Sequence, residues 1–167
     1  MIEKFKEWYD NRHAYQKDWK ARTGGKMVGF FCTYEPEEIF YAFDMLPVRI
    51  LGSHEIQDVT EPHLFAMFCP FCRDVLAQGL KGVYDHLDGI SIGQSCLHLR
   101  QAYASWDLHK NPGFSHYIPM PSHVQSARAI PFLKGEYELL IKHLEEWTGK
   151  SITDSDLRRG IDIMNRT

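Results

Sequence analysis

The sequence predicts an α/β domain in which a parallel sheet of about four strands is flanked by helices and preceded by one N-terminal helix. Two observations carry this expectation. Short apolar runs alternate along the chain with longer segments of helical period. Glycine and proline punctuate the joints between them.

Residues 2–20 read as an amphipathic helix whose broken apolar stripe is Phe5, Trp8, Tyr9 and Tyr15. Gly24 and Gly25 end it. Met27 to Thr33 is a short apolar run and suits a buried strand. Glu35-Pro36-Glu37-Glu38 then opens a helix, with proline at the first helical position and carboxylates at the positive end of the dipole. Pro47 is expected to stop that helix, and Val48 to Leu51 to form a second strand. Residues 53–63 read as a loop and His63 to Phe68 as a short helix. Phe71 to Leu80 reads as a further helix stopped by Gly82. Leu87 to Gly93 is a third strand, Leu97 to His109 a helix, and Asn111-Pro112-Gly113 a turn. Tyr117 to Met120 is a fourth strand. Ser126 to Trp147 is a long helix disturbed near Pro131, and Thr153 caps a final helix. Strands alternating with helices make the sheet doubly wound, Rossmann-like or flavodoxin-like. The division expected is an N-terminal helix over 1–24 and an α/β domain over 25–167.

The 167 residues are enough for one core, and 44% hydrophobic with 25% charged is ordinary globular composition. A net charge of -3 without a long basic run speaks against nucleic acid as a partner. The first twenty residues mix charge and aromatics, unlike a signal peptide, and no apolar run reaches the roughly 18 residues of a membrane span. A cytoplasmic, reducing compartment is expected, where clustered cysteines point to metal or redox chemistry before disulfides.

The four cysteines are Cys32, Cys69, Cys72 and Cys96. Cys32 ends the first expected strand, Cys96 follows the third, and Cys69 and Cys72 open the helix after the second. Ligands of open parallel sheets bind beyond the carboxyl ends of strands, and helix N-termini there favour thiolates and anionic clusters. Each cysteine alone is equally read as a small buried hydrophobe. Tetrahedral zinc commonly uses two close cysteine pairs, and one pair is present; His98 is the histidine nearest Cys96. An iron–sulfur cluster with ligands supplied elsewhere is open. Cys69-Pro70-Phe71-Cys72 also looks like a glutaredoxin dithiol, although that motif normally follows the first strand.

Larger motifs narrow the choice. Gly29-Phe30-Phe31-Cys32-Thr33-Tyr34-Glu35-Pro36-Glu37-Glu38, then Met45-Leu46-Pro47-Val48-Arg49, resembles the N-terminal signature of the benzoyl-CoA reductase and 2-hydroxyacyl-CoA dehydratase subunit family. Cys69-Pro70-Phe71-Cys72-Arg73, Tyr84 to Gly89, and Ser95-Cys96 with Arg100 resemble it too. The wording around Cys32 and the segment Gln94 to His98 resemble the reductase branch more than the dehydratases.

This resemblance implies the first half of a longer subunit that pairs with a homologous one. It implies a [4Fe–4S] cluster held by three cysteines, with Cys69 and Cys96 at the two first-domain positions and the third ligand beyond Thr167. Cys32 then matches a family position that is not a usual ligand, and Cys72 is structural or a substitute ligand. A separate ATP-hydrolysing iron–sulfur partner is implied to deliver electrons one at a time, in keeping with a sequence that has no Walker-type loop. An acyl-CoA substrate sits near the open iron. In the reductases its aromatic ring takes up two electrons and two protons; in the dehydratases a ketyl radical loses the 2-hydroxyl. Tyr34 and Glu37 are the expected substrate-binding residues, and His98 the expected proton donor. The plainer readings are a first-turn helix carboxylate for Glu37 and a partly buried histidine for His98.

Overall fold

The computed structural model describes residues 2–53 and 55–166, so the terminal residues of the expected 1–24 and 25–167 segments lie outside it. Ten elements follow in order: α1 (Ile2–Thr23), β1 (Met27–Phe30), α2 (Glu37–Ala42), β2 (Leu46–Arg49), α3 (Pro70–Leu80), β3 (Gly89–Gly93), α4 (Leu97–Lys110), β4 (Phe114–Ile118), α5 (Ala129–Thr148) and α6 (Asp154–Met164). The four strands form one parallel sheet in the order β2-β1-β3-β4. The chain therefore winds outward from β1 to β2, then crosses back to place β3 on the other side of β1. That reversal leaves a crevice beyond the carboxyl ends of β1 and β3.

Both faces of the sheet are covered. On one, Val75 and Leu76 of α3 and Ala102, Tyr103 and Trp106 of α4 pack on Met27, Val48, Ile50, Ile90 and Ile92. On the other, Ile39 and Phe40 of α2 and Leu140 and Leu144 of α5 pack on Val28, Phe114 and Ile118. Burial on both faces explains why β1 and β3 read as unbroken apolar or small runs. Trp106 is in the core, and the half-buried Trp147 stacks on Phe114 at 4.9 Å.

The departures from the sequence expectation have local causes. The stripe Phe5, Trp8 and Tyr15 of α1 is exposed. Of the expected stripe only Tyr9 docks, its hydroxyl donating to the Gly52 carbonyl at 2.6 Å; the helix is otherwise held through Gln16, Trp19 and Lys20, with Gln16 meeting His86 at 2.7 Å and Lys20 pairing with Asp88 at 2.8 Å. Trp19 lies over Gly25, where a Cβ would stand 2.4 Å from its ring. Pro47 does not stop α2, which ends at Ala42 with Phe43 as its C-cap, followed by Asp44 in the left-handed region at φ 60°. Pro47 lies inside β2, tolerable because β2 is an edge strand. Residues 63–68 form turns, not a helix. Pro131 does not disturb α5, because the helix begins at Ala129 and proline is accepted in a first turn. β4 lies three residues earlier at its start than expected, since its inward face carries His116 between Phe114 and Ile118 and so lacks an apolar run.

Candidate functional site

The crevice is built by the segments that leave β1 and β3. After β1 the chain runs through Phe31 and Cys32 and folds back at Tyr34, whose backbone closes onto Gly93 at the end of β3. A Cβ on Gly93 would stand 2.5 Å from the Tyr34 carbonyl oxygen. Gly93→Ala is therefore expected to push the 32–36 segment off the sheet and cost about 1–3 kcal/mol. Urea unfolding of the variant checks this, and an unchanged midpoint would contradict the close approach.

Two helix N-termini converge on this edge, each capped by a cysteine. Cys69 is the N-cap of α3, with Pro70 at the first helical position. Cys96 is the N-cap of α4, and its sulfur accepts from the Leu99 N–H at 3.4 Å. The Cys69 N–H donates to Nδ1 of His98 at 2.8 Å, which ties the start of α3 to the first turn of α4. His98 therefore carries its own proton on Nε2 when neutral, and its ring lies 5.0 Å from that of Phe68. Cys72 is buried in the core beneath, and burial pushes its thiol up to about 12, with the neighbouring Cys69 and Cys96 adding to the rise. Cys69, Cys72 and Cys96 are thus neighbours, and all four cysteines are free thiols.

Cys32 lies beside Ser95, the residue that precedes Cys96. Burial raises its thiol, but hydrogen bonds from Ser95, the Tyr34 backbone and Thr33 outweigh that and hold it below the usual thiol range.

The donor set suits a thiolate-bound metal in part. Cys69 and Cys96 lie at positive helix ends, which stabilise thiolates and an anionic cluster. Cys72, packed among Val75 and Leu76, serves the core. Among the described residues no group of three or more His, Cys, Asp or Glu side chains is assembled to hold a metal. A thiolate-bound metal would therefore find two well-placed thiols here and would take a further donor from outside the chain.

Tyr34 is 54% exposed and lines a cavity of about 370 Å3 with Gln94, Ser95, Met120, Pro121 and Ser122. Glu37 does not line it. Its half-buried carboxyl lies toward Arg49 of β2; burial and Glu38 raise its pKa, and Arg49 opposes them.

The carboxyl that sequence reasoning passes over is Glu35, two residues earlier. It is 6% exposed, and neither carboxyl oxygen has a well-formed hydrogen bond. Burial pushes it up to about 7; the nearby Ser91 hydroxyl and Gly93 backbone pull the other way, and Glu37 adds to the rise. Nothing in the string Glu35-Pro36-Glu37-Glu38 separates this acid from its exposed-looking neighbours. Its folded-state pKa lies above the unfolded value, so the proton is held more tightly by the native chain. Stability from this group is complete below pH ~4.5 and falls as pH rises toward 7, by roughly 3 kcal/mol. Glu35→Gln is expected to flatten that fall, read by thermal unfolding across the same window.

Comparison with known proteins adds the following. A family model described as "2-hydroxyglutaryl-CoA dehydratase, D-component" matches residues 32–167. The chain is 29% identical over 159 residues to the (R)-phenyllactyl-CoA dehydratase beta subunit of Clostridium sporogenes, covering 95% of this chain and 42% of that protein. It is 27% identical over 152 residues to one of the benzoyl-CoA reductase subunits of Thauera aromatica, covering 89% of this chain and 39% of that protein. It is 29% identical over 171 residues to the (R)-2-hydroxyglutaryl-CoA dehydratase beta subunit of Acidaminococcus fermentans, covering 100% and 44%. The chain thus spans about four tenths of the length of the curated relatives it matches.

Proposed function

The chain belongs to the 2-hydroxyglutaryl-CoA dehydratase D-component family, and from that premise we propose that it is the cluster-bearing α/β domain of one subunit of a benzoyl-CoA reductase-type enzyme. The single observation that carries the reading is the pair of cysteine N-caps, Cys69 and Cys96, brought to the switch-point edge of the sheet and tied together by the Cys69 to His98 hydrogen bond. These two residues would hold a [4Fe–4S] cluster, with a third cysteine supplied by the longer subunit. When bound, such a cluster supplies one low-potential electron at a time to a CoA thioester.

The chain's own residues then have defined tasks. The N-termini of α3 and α4 hold negative charge at the site. Tyr34 and the cavity it lines receive the acyl portion. His98, with Nδ1 engaged by the Cys69 amide, presents Nε2–H as a proton donor beside the ligand pair. A homologous second subunit and an ATP-hydrolysing iron–sulfur activator complete the assembly. The relatives support the partner subunit by their own description as subunits. No helix among the described residues is long and apolar enough to cross a membrane, and a cytoplasmic location follows from the reducing conditions a cluster of this kind requires.

A second reading is favoured by the relatives' names: 2-hydroxyacyl-CoA dehydration, the activity of the proteins from C. sporogenes and A. fermentans. The reductase reading rests on the wording around Cys32 and of Gln94 to His98. Identities of 27% and 29% do not separate the two. The dithiol-exchange alternative for Cys69 and Cys72 predicts activity without iron. The deciding experiment measures iron and acid-labile sulfide in the anaerobically purified full-length subunit with its partner, then assays ring reduction of benzoyl-CoA and water loss from 2-hydroxyacyl-CoA thioesters. Iron with ring reduction supports the reductase, and iron with water loss the dehydratase. Absence of iron overturns both and returns the cysteine pair to thiol chemistry.

A further inference from the structure

The face of the sheet covered by α2 and α5 carries a row of polar groups through an otherwise apolar core. Glu35 lies at its crevice end, beside the Ser91 hydroxyl of β3. Ser91 is fully buried and is the register partner of His116 on β4, so the two side chains stand side by side on one face. His116 is 5% exposed, and its Nδ1 lies 3.0 Å from Nδ1 of His143 on α5. His143 is only half-buried, so the row reaches from the crevice to the outer helix layer.

Four atoms of this row are buried without a well-formed hydrogen bond: both carboxyl oxygens of Glu35, Oγ of Ser91 and Nε2 of His116, although Ser91 is close enough to the Glu35 carboxyl to lower its pKa. The surroundings are Val28, Phe40, Phe114, Ile118, Leu140 and Leu144. Each orphaned polar atom in such a place is destabilising, and an apolar row of the same volume would be the more stable core. Packing therefore does not explain these residues. Their order does: the acid lies beside the hydroxyl, the hydroxyl shares a face with the imidazole of the neighbouring strand, and that imidazole is 3.0 Å from the next.

We propose that Glu35, Ser91, His116 and His143 form a proton relay from the α5 surface to the crevice beyond β1 and β3. This deepens the function proposed above and rests on it for the use of the proton. Ring reduction takes up two protons with its two electrons, and loss of a hydroxyl as water needs an acid at that oxygen, so both chemistries need a proton inside a water-poor site. The proton leaves toward the cavity lined by Tyr34, the residue before Glu35, and by Ser95, whose hydroxyl meets the Cys32 thiol.

The steps balance without redox change. The O–H bond of Glu35 breaks, its electron pair stays on the carboxylate, and a new C–H or O–H bond forms on the substrate side. Ser91 passes a replacement from His116, which releases a proton at one ring nitrogen while accepting at the other. His143 draws the next from solvent. Electrons come from the electron-donating partner and do not travel this route.

The charged surroundings suit a proton held at Glu35 near neutrality. Glu37 approaches it from α2. Tyr103 of α4 and Tyr137 of α5, the latter also facing Glu38, are within its electrostatic reach. His116 is kept neutral by burial and by His143, its pKa lowered to about 4, so the apolar core carries no standing positive charge.

The first test uses the chain itself. Infrared spectroscopy at slightly acidic pH follows the protonated carboxyl band of Glu35, identified by its loss in Glu35→Gln, after transfer into deuterated buffer. His143→Leu, at a half-exposed position, is expected to slow the exchange of that band at least about tenfold. Exchange at the wild-type rate, or absence of a band that titrates near pH 7, overturns the relay. The second test uses the assembled enzyme. Glu35→Gln and His143→Leu are expected to lower kcat at least about tenfold with KM unchanged, and added imidazole to restore turnover in His143→Leu. Wild-type kcat in both variants overturns the relay while leaving the enzyme reading intact. A wild-type assembly that turns over no CoA thioester overturns the enzyme reading, and the exchange test alone then decides the relay.

Discussion

Cys96→Ser in the full-length subunit is expected to bring cluster iron to background and to lower thioester turnover by at least ~100-fold, since even residues that only support metal ligands are worth about 10- to 100-fold. The structure makes this variant unusually informative. Cys96 is the N-cap of α4, and its sulfur accepts the Leu99 amide at 3.4 Å. Serine is among the best N-cap residues, so the hydroxyl takes over the same bond. The fold should therefore survive: thermal unfolding of the 167-residue chain should shift by no more than the ~0.5 kcal/mol of a surface change. Loss of iron with an unchanged unfolding transition would assign the thiol to the cluster. Retention of iron would remove Cys96 from the ligand set, and a large drop in stability would show that the cap geometry differs from the one described.

Gly160→Ala is expected to destabilise the chain by about 3 kcal/mol, the upper part of the overpacking range. For a chain of this size that lowers Tm by roughly 6–12 °C. α6 crosses α2 so closely that a Cβ on Gly160 would stand 2.1 Å from the Glu38 carbonyl oxygen, and backbone cannot swing aside as a side chain does. Around that contact Arg159 donates to the Ala42 carbonyl at 3.1 Å and pairs with Asp44 at 2.7 Å, and Lys150 pairs with Asp44 as well. The two helices must separate to admit the methyl group, and α2 would carry with it the segment that holds Glu35. Gly135 in the middle of α5 is the control, because a Cβ there meets nothing within 4 Å. Gly135→Ala should raise stability by up to about 1 kcal/mol through helix propensity alone. Equal effects from the two substitutions would mean that α6 does not pack on α2 as described.

The legible parts of the fold are those whose signals are local. Thr153 is followed by Asp156, and both halves of the capping box form. Gly149 ends α5 with φ 70°, as a helix-terminating glycine should. The two cysteine N-caps fall at helix starts as expected, because Pro70 marks one and the end of an apolar strand marks the other. Signals that depend on what lies opposite mislead. Pro47 looks like a helix stop until β2 is known to be an edge strand. Phe5, Trp8 and Tyr15 look like a buried stripe until α1 is seen to dock by Gln16, Trp19 and Lys20.

The sequence by itself determined that strands and helices alternate, where α1, α3, α4 and α6 begin to within a residue, and that thiols stand at helix N-termini beyond the strands. These follow from backbone preferences and hydrophobic period, which act over a few residues. Only the tertiary structure decided that β1 and β3 are neighbours, that Cys69 and Cys96 are tied through His98 across 27 positions of chain, and that Glu35 rather than Glu37 is the buried acid. Burial is a property of what packs on a residue from distant segments, and the pKa of a carboxyl follows its burial. Two glutamates one proline apart therefore read alike in the sequence and are set apart in the fold by Ser91, Gly93 and the helices that close over one of them.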